Sequence, residues 1–280
     1  MTSPRFPRKG SELLSDITSL QVEREVYIED FLHQRSVVML AADPGTGKSL
    51  ISTQMCMALT SAEPLFGELS VTRKHKVYYL QLEGSYEESI ERMRLMSTVL
   101  GVDCEYLCWD FRRAVNVGSH RAALELVDQI EQSFQPEVIV IDPLYQLIWG
   151  PLASEEGAQS IIRFCGMLQE RFQCALFLNH HTHRPKYDRE GKQVEEHDAF
   201  YGSQWLKAYL DASFHLKHRD KQGSQSALYG KKNRGGNVVK EVFLHYDPET
   251  HVSLTAAHCT EPVKTSGEER VLEWVKKSAL

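Results

Sequence analysis

Residues 36 to 61 constrain this chain more than any other stretch. Ser36 to Ala41 is an apolar run that reads as a buried strand, and Lys48 to Ser61 carries apolar residues at helical spacing (Ile51, Met55, Ala58, Leu59). The link between them is Ala42-Asp43-Pro44-Gly45-Thr46-Gly47-Lys48-Ser49, the phosphate-binding P-loop with Ala42 in place of the opening glycine. Gly45 and Gly47 let backbone N–H groups turn inward around a β-phosphate, and the following helix presents its positive N-terminus. Lys48 reaches β- and γ-oxygens, and Ser49 is a ligand for Mg²⁺. Ala42 needs only ordinary dihedrals at the strand exit. Asp43 to Ser49 therefore form the candidate ATP-binding loop.

The rest of the chain is patterned around that unit. Val77 to Leu82, Glu105 to Trp109, Val138 to Ile141 and Ala175 to Asn179 read as further strands. Helices are expected at Tyr86 to Leu100, with Ser85 and Glu88 in capping-box spacing, at Ser119 to Ser133 and at Ala158 to Phe172. Strands alternating with helices of this length specify an α/β fold, a mainly parallel sheet with helices on both faces. After a short helix near Gln204 to Tyr209 only strands follow: Ala212 to His218, Ser226 to Lys231, Val238 to Tyr246 and His251 to Leu254. Their short links predict an antiparallel C-terminal extension at one sheet edge. Glu268 to Lys277 begins another amphipathic helix. The expected organisation is an N-terminal arm at 1–20, one domain at 21–260 and the start of a C-terminal helical element at 261–280.

A P-loop needs a metal-side carboxylate at the end of a neighbouring strand. Asp142, after the β-branched run Val138-Ile-Val-Ile141, supplies it, so Ser49 and Asp142 are the expected Mg²⁺ ligands. Glu83, at the tip of Val77-Tyr-Tyr-Leu-Gln-Leu82, lies at the sheet edge where ligands of such folds sit, though a glutamate there also suits a helix N-terminus. His180-His181-x-His183 invites a zinc reading, but no carboxylate or cysteine at ligand spacing completes it, and contact with phosphate is the simpler use.

Several segments together resemble a known family. They are Leu65-Phe-Gly-Glu-Leu69, Lys76-Val-Tyr-Tyr-Leu-Gln-Leu-Glu83, Glu91-Arg-Met93, Ile141-Asp-Pro-Leu144 and Asn179-His-His-Thr182. Over about residues 20 to 260 the chain resembles the RepA-type branch of RecA-like ATPases, which includes hexameric replicative helicases of plasmids and relatives in phages and mobile elements. The resemblance implies that Glu83 polarises the lytic water and that His180 senses the γ-phosphate. Lys231-Lys232-Asn233-Arg234-Gly235-Gly236 is similar to the element that such motors project into a neighbour's nucleotide, making Arg234 an arginine finger with Lys232 beside it; the same residues also suit a solvated hairpin tip. The connection His183 to Ser203 is implied to line a central channel, with Arg184, Lys186, Arg189 and Lys192 on single-stranded DNA. Glu190, Glu195, Glu196 and Asp198 dilute that charge, and a plain surface loop stays open beside it. Gly84 departs from the family where an acidic residue commonly follows the glutamate.

Charge limits the partners. With 32 basic against 38 acidic residues the net charge is −6, which argues against a protein coating nucleic acid over its whole surface. No apolar run approaches the ~18 residues of a membrane helix, and Arg5, Arg8 and Lys9 have no apolar stretch behind them, so a cytoplasmic chain without membrane contact is expected. The six cysteines are scattered without a Cys-x-x-Cys pair, as reduced thiols would be. The expected function is an ATP-hydrolysing homo-oligomeric ring, a hexamer by family resemblance, acting on single-stranded DNA alongside replication or mobile-element proteins. A regulatory or adaptor ATPase that controls protein assembly is the alternative. A small-molecule kinase is disfavoured, since no arginine-bearing lid or acceptor pocket is evident.

Overall fold

The structure, a computed structural model, describes residues 10–11, 24–113, 115–150, 152, 154–182, 204–220, 222–234 and 241–255. A small antiparallel hairpin, β1 (Val26–Ile28) and β2 (Leu32–His33), comes first. Then follow β3 (Val37–Ala42), α1 (Lys48–Ser61), β4 (Val77–Gln81), α2 (Tyr86–Leu100), β5 (Leu107–Phe111), α3 (His120–Ser133), β6 (Val138–Asp142), α4 (Glu155–Phe172) and β7 (Ala175–His181). Helix α5 (Gln204–Tyr209) leads into β8 (Ala212–His218), β9 (Gln225–Asn233), β10 (Glu241–Tyr246) and β11 (Ser253–Thr255). The expected helix at Glu268 to Lys277 and most of the N-terminal arm lie outside the described residues.

Strands β3 to β11 form one nine-stranded sheet in the order β11-β10-β9-β8-β3-β7-β6-β4-β5. From β5 to β8 all neighbours are parallel, and β9, β10 and β11 continue the sheet antiparallel. This is the expected α/β architecture with its antiparallel extension. One refinement concerns β8, which pairs parallel with β3, Val38 opposite Ala212, so the antiparallel run starts from a strand of the parallel core. Another is the length of β7, which continues two residues past Asn179.

Local chemistry explains where the helices begin. Ser85, Ser119 and Ser154 each sit extended at an N-cap and accept a backbone N–H three residues on, from Glu88, Ala122 and Gly157. Gly101 ends α2 in the left-handed region at φ 64°. Helix α1 is buried on nearly every side, because the sheet covers one flank and α2 and β11 cover the other. Gln54 fixes the β11 contact with two 2.8 Å bonds, donating to the Ser253 carbonyl and accepting from its N–H.

The sheet carries an apolar core on each face. Ile139, Ile141, Leu176 and Leu178 pack with Ile161, Phe164 and Leu168 of α4. On the opposite face Val138, Val140 and Phe177 pack with Ile51, Met55 and Leu59 of α1. The β1–β2 hairpin closes the second core. Its Phe31 stacks on Phe214 at 4.5 Å between ring centroids and lies 5.9 Å from Phe177. Phe31→Ala leaves a ring-sized void between two strands, and urea unfolding should show a loss of about 3–5 kcal/mol.

Candidate nucleotide-binding site

Parallel pairing brings the C-terminal ends of β3, β4, β6 and β7 to one edge of the sheet, and the two-residue alternation of strands decides which side chains meet there. On the α1 face β4 presents Val77 and Tyr79 to the core, and the same parity places Gln81 and then Glu83 above them. On β6 the parity of Val138 and Val140 selects Asp142, and on β7 that of Ala175 and Phe177 selects Asn179 and His181. The functional residues thus continue the apolar stripe that anchors each strand.

The loop between β3 and α1 has the backbone its glycines predict. Gly45 and Gly47 take φ 78° and 98°, left-handed values that a side chain would strain. Thr46 closes the turn by donating from N (3.3 Å) and Oγ1 (2.8 Å) to the Asp43 carbonyl. Lys48 is 6% exposed, and its Nζ donates to the carbonyls of Ala42 (2.9 Å) and Asp43 (3.2 Å) and lies 3.2 Å from His181 Nδ1. Burial lowers the Lys48 pKa, and the charges of Asp142, Glu83 and Asp43 oppose that shift. The Thr182 hydroxyl donates to Asp43, tying the loop to the end of β7.

Asp142 is 1% exposed, and its Oδ2 accepts the Tyr79 hydroxyl at 2.7 Å. Oδ1 is buried with no hydrogen-bond partner among the described residues. Burial pushes the carboxyl pKa up, and the polar side chains of Ser49, Tyr79 and Asn179 oppose the shift without cancelling it. Asn179 is held by Ser52 of α1 through contacts of 3.0 and 2.8 Å. Glu83 is half-buried, and its Oε2 accepts the Tyr145 hydroxyl at 2.7 Å. Behind it Gln81 donates to the Glu83 carbonyl (2.9 Å) and to Ser89 (2.7 Å), and accepts from the Trp109 indole (3.0 Å). Two clefts flank the start of α1. One of about 240 Å³ is lined by Gly45, Gly47, Leu216, His218 and Tyr246. The other, about 280 Å³, is lined by Ser49, Tyr79, Gln81, Glu83, Arg92 and Trp109.

The structure thus gathers Asp43 to Ser49, Asp142 and Glu83, all expected from sequence. His180 does not join them. It is 1% exposed and has the parity of Leu176 and Leu178 on the α4 face, whereas His181 stands beside Lys48. Extending the strand pattern two residues beyond Asn179 is what places His181, and not His180, on the α1 face. Tyr79 and Tyr145 also escape sequence reasoning: Tyr79 shares the parity of Glu83, while Tyr145 follows β6 in a one-turn 3-10 helix, Leu144–Leu147, that no periodicity announces.

Lys232 and Arg234 lie elsewhere. Lys232 Nζ donates to the carbonyls of Lys207 and Ala208 at the end of α5, and Arg234 Nη2 donates to that of Ala208. The Arg234 N–H donates to the Asp211 carbonyl, and Asp211 in turn bonds both ways with Val37 at the start of β3. Strand β3 is six residues long, so this end is roughly 20 Å from the P-loop at about 3.3 Å per residue. Arg184, Lys186, Arg189 and Lys192 lie outside the described residues. No described helix is long and apolar enough to cross a membrane.

The buried Asp142 has a consequence for stability. Its pKa is raised on folding, so the ionised form weakens the fold at neutral pH and the penalty shrinks as pH falls through the raised value. Asp142→Asn removes the charge and keeps an acceptor for Tyr79. Without nucleotide or metal, it should melt at a higher temperature than the parent at pH 7.5, with the gap narrowing toward acid. A lower melting temperature at pH 7.5 would contradict this reading.

Comparisons with known proteins bear on this arrangement. A family profile described as an AAA domain matches residues 2–186. DNA repair protein RadA of Synechocystis sp. is 24% identical over 213 residues, 72% of this chain, and the chain spans 37% of that protein's length. Among solved structures, one described as an ATPase domain superposes with TM-score 0.59 at 14% identity, covering 88% of this chain and 96% of the other. A DnaB-like replicative helicase, described with its interactions with primase, gives TM-score 0.60 at 15% identity, covering 87% and 66%. The two superpositions show a RecA-like fold. The profile covers well over half of the sequence, P-loop and strand ends included, and the chain accordingly belongs to this AAA-domain family of P-loop ATPases.

Proposed function

We propose that this chain is an ATP-hydrolysing ring motor on single-stranded DNA, of the RepA-like replicative helicase type, assembled as a homo-oligomer and by family resemblance a hexamer. The observation that carries the proposal is the division of machinery between two sheet edges. Lys48, Ser49, Asp142 and Glu83 converge where β3, β4 and β6 end, while Arg234 stands by the start of β3. ATP bound at the first edge has its β- and γ-oxygens held by Lys48 and the loop N–H groups. The buried, unpartnered Oδ1 of Asp142 and the hydroxyl of Ser49 are hard oxygen donors that suit Mg²⁺, and these two residues would hold it. Bound there, the metal supplies neutralisation of phosphate charge. Glu83 orients a water against the γ-phosphate, and His181, beside Lys48, takes the sensor role.

Arg234 and Lys232 are too far from their own loop to touch its nucleotide, so they are assigned to a neighbouring subunit's site. The loop 183–203, with Arg184, Lys186, Arg189 and Lys192, is assigned to the DNA backbone; the names of RadA and of the replicative helicase support a DNA substrate. The net charge of −6 favours a second reading, a regulatory ATPase whose nucleotide state controls assembly with a protein.

ATP turnover measured with and without single-stranded DNA separates the two: the motor is stimulated, and the regulator is indifferent. The shared site has its own test. Arg234→Ala subunits keep their P-loop, and Lys48→Ala subunits keep their finger, so mixing the two inactive variants should recover part of the wild-type rate at mixed interfaces. A mixture that shows only the summed rates of its components would put Arg234 outside the reaction.

A further inference from the structure

Glu83 sits at the end of a strand, where a carboxylate side chain has several rotamers, yet the reaction needs it in one place. Among the described residues its carboxylate has one hydrogen-bond partner, the Tyr145 hydroxyl, at 2.7 Å on Oε2. That hydroxyl is itself well fixed. Tyr145 lies in the 3-10 turn Leu144–Leu147, whose first and last residues are fully buried in the core on the α4 face, and the Leu147 carbonyl accepts the Val117 N–H at 2.8 Å. Its ring packs 5.3 Å from that of His181, whose Nδ1 is 3.2 Å from Lys48 Nζ. A donor anchored in the core thus holds one carboxylate oxygen and leaves the other, Oε1, to accept from a water.

We propose that Tyr145 is the positioning residue for Glu83: its hydroxyl pins Oε2, so that Oε1 is presented to the attacking water. The inference rests on Glu83 being the water-polarising residue, and it extends that reading to a group outside the P-loop and strand-end motifs. Tyr145 acts through Glu83, and its contribution belongs to the chemical step rather than to nucleotide binding.

Tyr145→Phe tests this, because it deletes the hydroxyl and keeps the ring against His181. The expected result is a kcat lower by about tenfold, roughly the effect of one charge-assisted hydrogen bond, with KM for ATP, affinity for a fluorescent ATP analogue and melting temperature unchanged. In the Glu83→Gln background the same substitution should cause no further loss, because the residue it positions has already lost its charge. An unchanged or raised kcat in Tyr145→Phe would overturn the proposal, as would a rise in KM that accounts for the whole loss. So would an equal loss from Tyr145→Phe in both backgrounds. Failure of the underlying reading looks different: Glu83→Gln itself would then hydrolyse ATP at the wild-type rate. A strong defect in Glu83→Gln beside a silent Tyr145→Phe would overturn the positioning role alone.

Discussion

Parallel strand pairing is the constraint on which the candidate site depends. An antiparallel sheet would send alternate strand ends to opposite edges, and Asp142, Glu83 and His181 would be scattered. In this sheet Val77 pairs with Val138 and Val138 with Ala175, so the residues that leave these strands at their C-terminal ends arrive within reach of one another. The pleat then sorts them. The same alternation that buries Tyr79, Val140 and Phe177 against α1 brings Glu83, Asp142 and His181 to the side where α1 starts. A one-residue slip in any of the three strands would keep the core hydrophobic, since both faces are buried, but would turn the polar residue to the wrong side.

Burial makes those residues interact. Lys48 and Asp142 are both nearly inaccessible, and each titrates away from its ordinary range because the desolvated charge is costly. Their partial compensation comes through mutual attraction, the loop carbonyls under Lys48 and the hydroxyl of Tyr79 on Asp142. Apolar side chains at these positions would suit the fold better. The arrangement is understandable as a trade of stability for a site whose charges are fixed in place before any ligand arrives.

Much of this is legible in the sequence, and the failures share a cause. Asp43 to Ser49, Asp142 and Glu83 can be found because each is signalled locally, by a motif or by an apolar run that ends in a carboxylate. His180 is named by family resemblance, and the apolar run, which stops at Leu178, does not show which of His180 and His181 faces α1. Strand pairing carries β7 on to His181, where Ala42 still pairs with it, and this is what sets His181 rather than His180 on the Lys48 side. The parallel pairing of β8 with β3 is hidden because alternation in Ala212 to His218 says nothing about direction. Tyr145 cannot be found from pattern at all, since its place follows from Leu144 and Leu147 docking in a distant core.

If Arg234 completes a neighbour's site, as proposed, its seat by the start of β3 bears on how many chains come together. Two patches on opposite edges of one protomer can meet only head to tail, and that geometry is not self-complementary. A pair of chains joined this way would complete one composite site and leave one P-loop and one arginine unmatched. An open row always wastes a site at its end, whereas closure into a ring wastes none. Turnover per subunit would then rise with assembly even if no individual site changed, and activity would become a measure of closure.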